Sequence, residues 1–74
     1  MTLDNAFWAE KLGEPLYSGM RILALVKGAQ LVGRVSVMSH HVSAKAYRTD
    51  GRHLSSQFKS LTDAQKWVED NSHD

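Results

Sequence analysis

Seventy-four residues, 42% hydrophobic and 23% charged, describe a globular chain near the lower size limit for independent folding, with no room for a second domain. Cysteine is absent, which excludes a disulfide framework and a thiolate metal site and predicts an intracellular, cytoplasmic setting. The net charge is only +1 but is segmental: residues 15–62 carry Arg21, Lys27, Arg34, Lys45, Arg48, Arg52 and Lys59 against Asp50 alone, between acidic ends.

The N-terminal segment predicts a first helix over about 5–12. Asp4 supplies a cap, Phe7, Trp8 and Leu12 share an arc, and Gly13 and Pro15 stop the helix. From about residue 20 to 59 the pattern turns to strands. Met20–Lys27 is aliphatic, with a turn at Lys27-Gly28-Ala29-Gln30. Gln30–Met38 alternates, with Leu31, Val35 and Val37 inward and Arg34 and Ser36 outward. Val42–Thr49 alternates again, with Val42, Ala44 and Ala46 opposing Ser43, Lys45 and Tyr47. Asp50-Gly51 reads as a type I′ hairpin turn. His53–Lys59 places Leu54 and Phe58 inward against His53, Ser55 and Gln57.

A second helix is expected over about 62–70, opened by the capping box Thr62-Asp63-Ala64-Gln65, with an apolar stripe at Leu61, Ala64, Trp67 and Val68. Trp67 is expected over Ala44 and Ala46, and a polar tail begins at Asn71. The fold class is therefore α+β, one small domain over 1–74 in the order α-β-β-β-β-α. Its antiparallel meander sheet carries both helices on one face. One strand departs from alternation: Leu23 and Leu25 oppose Ile22, Ala24 and Val26, so it is either covered on both faces or a contact with another chain. Its longest apolar run is far below the roughly 20 residues that span a bilayer, so no membrane partner is expected.

Candidate chemistry is sparse. His40 and His41 are adjacent and would face opposite sides of a strand, so they, His53 and Asp50 do not make a convergent zinc set. Gly28 and Gly33 have a phosphate-loop spacing, but Arg34-Val35 follows and the pair sits in a hairpin. No nucleophile elbow or ordered triad occurs. No catalytic residue, metal or cofactor is assigned, and the chain reads as a binding protein rather than an enzyme. The outer sheet face is the candidate surface, with Arg34, Lys45, Tyr47, Arg48, Arg52, Gln57 and Lys59 as nucleic-acid contacts. Arginine and lysine pair with phosphates, while glutamine and tyrosine donate to backbone or base edges.

The stretch Tyr47-Arg48-Thr49-Asp50-Gly51-Arg52, followed by Ser55, Phe58, Asp63-Ala64 and Trp67, resembles the three-stranded-sheet-plus-helix DNA-binding domains at the N-termini of phage-type tyrosine integrases. The resemblance covers about residues 30–70. It implies DNA reading by the sheet, through Arg34, Lys45, Tyr47, Arg52 and Gln57. An extra N-terminal helix and strand would set this chain apart from that family. In size and architecture the chain is also similar to small phage inhibitors of the anti-CRISPR type, which implies a host protein complex as the partner. That reading would use Tyr17, Leu23, Leu25, His40 and His41, and a homodimer through the doubly apolar strand is compatible with either.

Overall fold

A computed structural model describes residues 6–48 and 50–72. Five strands, β1 (Ala6–Glu10), β2 (Arg21–Lys27), β3 (Gln30–Val37), β4 (Val42–Tyr47) and β5 (His53–Phe58), are followed by one helix, α1 (Leu61–Asn71). The strands form a single antiparallel sheet in the order β1-β2-β3-β4-β5. The α+β class and the meander hold; the order is β-β-β-β-β-α rather than α-β-β-β-β-α.

The expected N-terminal helix is the strand β1 over Ala6–Glu10, and Asp4, its expected cap, lies outside the described residues. Two forces favour the strand. A helix of two turns has too few internal hydrogen bonds to stand alone. The bulky Phe7 and Trp8 gain more by pairing with β2, which is apolar on both faces and needs a neighbour on each side. Phe7, Trp8 and Ala9 align with Val26, Leu25 and Ala24.

Helix α1 covers the face that carries Trp8, Leu25, Gly33, Val35, Ala44 and Phe58. The core joins Leu25, Val32, Val35, Val42 and Ala44 to Ala64 and Val68 of the helix. Gly33 is the floor under the helix. A Cβ there would meet Val68 Cγ1, with the Lys45 carbonyl oxygen 3.3 Å away. Trp67, expected over Ala44 and Ala46, is half-buried and packs against the core that contains Ala44, its ring centroid 5.7 Å from that of Phe58, while Ala64 and Val68 are fully buried beside it. At the other margin the Trp8 Nε1 donates to Glu69 at 2.9 Å, tying β1 to the helix.

The N-cap lies two residues earlier than the Thr62 of the expected capping box. Ser60, in extended conformation, is the N-cap and accepts from the Asp63 N–H, so Thr62 lies inside the first turn. Asn71 extends the helix into the expected tail, its side-chain amide donating to the Trp67 carbonyl at 2.8 Å.

Two departures concern the strands. A register shift beside Leu25 and Val26 pairs Val26 with Leu31 and Leu25 with Gly33, leaving Val32 as an extra, buried residue. Such a bulge reverses parity on one side of itself. Leu31, expected inward, is consequently exposed on the outer face. The Asp50-Gly51 turn also differs from a two-residue type I′ loop. The Arg48 N–H donates to the Arg52 carbonyl and the Gly51 N–H to the Arg48 carbonyl, with Gly51 at φ +89°. A longer loop ending in a left-handed glycine is the next most common hairpin closure.

Candidate functional site

Sheet register decides which predicted contacts share a surface. On the face away from α1, Arg34, Lys45 and Ser55 form one cross-strand row, and Ser36, Ser43 and Gln57 form the next. Tyr47 and His53 make a third, their ring centroids 6.3 Å apart. The β5 side of this strip runs from Gln57 to His53, about 14 Å at strand rise. Arg34, Lys45, Tyr47 and Gln57 are thus brought together as expected.

Arg48, Arg52 and Lys59 are not part of the strip itself. Lys59 lies beyond the β5 end and lines a shallow depression with His40, His41, Gln57 and Phe58. Arg48 and Arg52 sit at the opposite end in the β4–β5 hairpin, lining a second depression with Asp50 and Leu54. The parity of β4 and β5 sends their alternation to the helix side. Arg52 is also answered locally: its Nε lies 3.6 Å from Asp50 Oδ2, and its N–H donates to Asp50 Oδ1 at 3.0 Å.

The β1–β2 connection, residues 11–20, adds a group that sequence reasoning missed. Arg34 Nη2 lies 3.1 Å from Glu14 Oε1, so the connection crosses the outer face and sets a carboxylate on its central arginine. The remaining Arg34 Nε is buried and has no hydrogen-bond partner among the described residues. The connection is anchored at its start by the Lys11 N–H on the Ile22 carbonyl, and it turns locally where the Met20 N–H donates to the Tyr17 carbonyl. Ile22 and Ala24, which face the same side, are 1% and 3% exposed. The only hint in the sequence was that a strand apolar on both faces must be covered on both.

A second ion pair, Arg21 Nη2 to Glu10 Oε1 at 2.9 Å, clamps β1 to β2. Its hydrogen bonds hold the Glu10 carboxyl below the usual carboxylate range and raise the Arg21 guanidinium. Neither group belongs to the outer strip.

The alternative surface is altered by the fold. Leu23 and Leu25 are 7% and 1% exposed, held between β1 and β3, and cannot present an apolar contact. For the same reason β2 is an internal strand and offers no edge for a homodimer. Tyr17, His40 and His41 are exposed. The accessible apolar groups include instead Leu12, Leu16 and Tyr17 in the connection, Phe7 and Leu31 flanking Val26 in one row of the outer face, and Leu54 of β5, which was expected inward.

Among the described residues, no three His, Asp or Glu side chains converge in a way that could hold a metal ion. No helix among them is long and apolar enough to cross a membrane. Comparison with protein-family models, with curated proteins and with solved structures returned no match for this chain.

Proposed function

We propose that this chain is a non-enzymatic nucleic-acid-binding module that uses the outer face of β3–β5. The observation that carries this reading is the cross-strand row on the face away from the helix, where Arg34, its guanidinium on Glu14, and Lys45 stand in register among Ser43, Ser55, Gln57 and Tyr47. A sheet face left open by its helix, edged with cations and hydrogen-bonding side chains, suits a phosphate backbone or a groove wall. Lys59 at the far end of β5 would extend the contact along the strand direction. The integrase-like arrangement would map onto β3, β4, β5 and α1, with β1 and β2 as an addition to the edge of that unit.

The test is a fluorescence anisotropy titration against a labelled duplex at two salt concentrations. A strip engaging about three phosphates loses about 40-fold in affinity between ~50 and ~200 mM salt, since the slope is roughly 0.9 per phosphate. Absence of binding at the lower salt overturns the reading.

A second reading is favoured by one observation, the exposure of Leu16 at 86% together with Leu12 and Tyr17. Under it the chain occupies the surface of a host protein complex, in the manner of small phage inhibitors, through the β1–β2 connection rather than through Leu23 and Leu25. It predicts that Leu16→Ser with Tyr17→Ser abolishes a protein interaction that Lys45→Ala leaves intact.

A further inference from the structure

The two margins of the sheet differ. At β5 the edge strand reads His53-Leu-Ser-Ser-Gln-Phe58, largely polar. At β1 it reads Ala6-Phe-Trp-Ala-Glu10, with no proline, no lysine and no bulge in its pairing with β2. Those are the devices that ordinarily keep an edge from pairing with another chain.

The direction of its backbone groups follows from one bond. The Lys11 N–H donates to the Ile22 carbonyl at 2.7 Å, so residue 11 faces β2 in a hydrogen-bonded pair. Antiparallel ladders alternate, so Phe7 and Ala9 also spend their N–H and C=O groups on β2. Ala6, Trp8 and Glu10 therefore aim theirs at the open margin, and no hydrogen bond from those backbone groups to another element occurs among the described residues.

We propose that β1 pairs antiparallel with β1 of a second copy about a two-fold axis at Trp8. The strand is complementary to itself in that register. Ala6 faces Glu10 of the second copy, and Trp8 faces Trp8, each exchanging both backbone hydrogen bonds. On the outer face Phe7, which is 56% exposed, lies across from the small Ala9 of the second copy, in both halves. Glu10 meets alanine rather than a like charge, and its carboxylate is already held by Arg21. On the other face each indole is drawn toward its own helix by Glu69, which keeps the two tryptophans from colliding. The occupant is a second copy because this register satisfies size and charge at every facing position of a two-fold interface.

The test combines sedimentation velocity from ~10 to ~500 μM with amide hydrogen exchange, since a contact this small is concentration-dependent. The expected result is a rise from 8.3 kDa toward twice that mass. With it, the Trp8 and Glu10 amides become protected as concentration rises, while those of Phe7 and Ala9 are protected throughout. Ala6→Pro removes an N–H that β2 does not use, at the first residue of an edge strand, so the monomer fold is retained and pairing is weakened. Phe7→Lys gives the same loss by charging the edge. A monomer at the highest concentration overturns the proposal. So does a dimer in which the Trp8 amide still exchanges freely or which survives Ala6→Pro.

Discussion

The contact most open to a decisive experiment is Glu14 on Arg34. If the outer face binds phosphate, Glu14 occupies the place of one. The two side chains are 47% and 38% exposed at 3.1 Å, so the pair is worth at most about 1 kcal/mol, or roughly 5-fold in a binding constant. A phosphate contact made by Arg34 contributes about 15-fold at ~50 mM salt, from a slope of roughly 0.9 per phosphate. Four expectations follow for the affinity at that salt. Glu14→Gln tightens binding by about 5-fold, because Arg34 no longer has to be released. Arg34→Ala weakens the wild-type chain by only about 3-fold, because losing the phosphate contact is offset by losing the cost of releasing Glu14. In the Glu14→Gln background the same change costs about 15-fold. In the Arg34→Ala background Glu14→Gln changes nothing, which is the corner that isolates the coupling. Anisotropy titrations of the four proteins give all these ratios, and melting curves check that each remains folded. Additive effects, or an equal gain from Glu14→Gln with and without Arg34, would refute the reasoning.

Gly33→Ala should cost about 2 kcal/mol in urea unfolding, because the new Cβ meets Val68 and the helix must lift. Most of that cost should vanish when measured in a Val68→Ala background, where the obstructing methyls are gone. Ser60→Ala should destabilise by about 0.5–1 kcal/mol and Thr62→Ala by much less, since Ser60 is the N-cap. The Glu10 carboxyl is depressed in the folded chain, so its contribution is present above the unfolded glutamate range and is lost as pH falls through the folded value. Acid titration of the melting temperature should therefore show a shallower decline in Arg21→Gln than in the wild type, with the difference shrinking at high salt.

Much of this architecture can be read from period and punctuation. Four strands and the C-terminal helix follow from alternation, from Gly28 at φ +63° and Gly51 at φ +89°, and from the helical spacing of Ala64 and Val68. Phe7-Trp8 was misassigned because a short segment carries two patterns at once. Phe7, Trp8 and Leu12 fit a helical arc, while Ala6, Trp8 and Glu10 fit a strand face. What decides is the unpaired margin of β2, a tertiary demand that local propensity does not contain. Leu31 was misplaced for a different reason, since alternation predicts faces only until a bulge resets it. The four residues of the strip came out together because they lie beyond that bulge, in unbroken register. Arg48 and Arg52 separated from it because, one step from Tyr47 and His53, parity carries them to the helix side. Glu14 was invisible to both periodicities, because its role comes from the path of a connection.

That path links the fold to the site. Ile22 and Ala24 of β2 are buried on the face away from the helix, where the β1–β2 connection sets Glu14 on Arg34. Arg34 is the β3 neighbour of Ala24, so the ion pair brings the connection level with Ala24. A ligand that takes Arg34 removes the ion pair linking the connection to β3, while the Lys11 bond to Ile22 still holds its start. Exchange of Glu14 for phosphate then needs only a side-chain displacement, with the Lys11–Ile22 bond left in place.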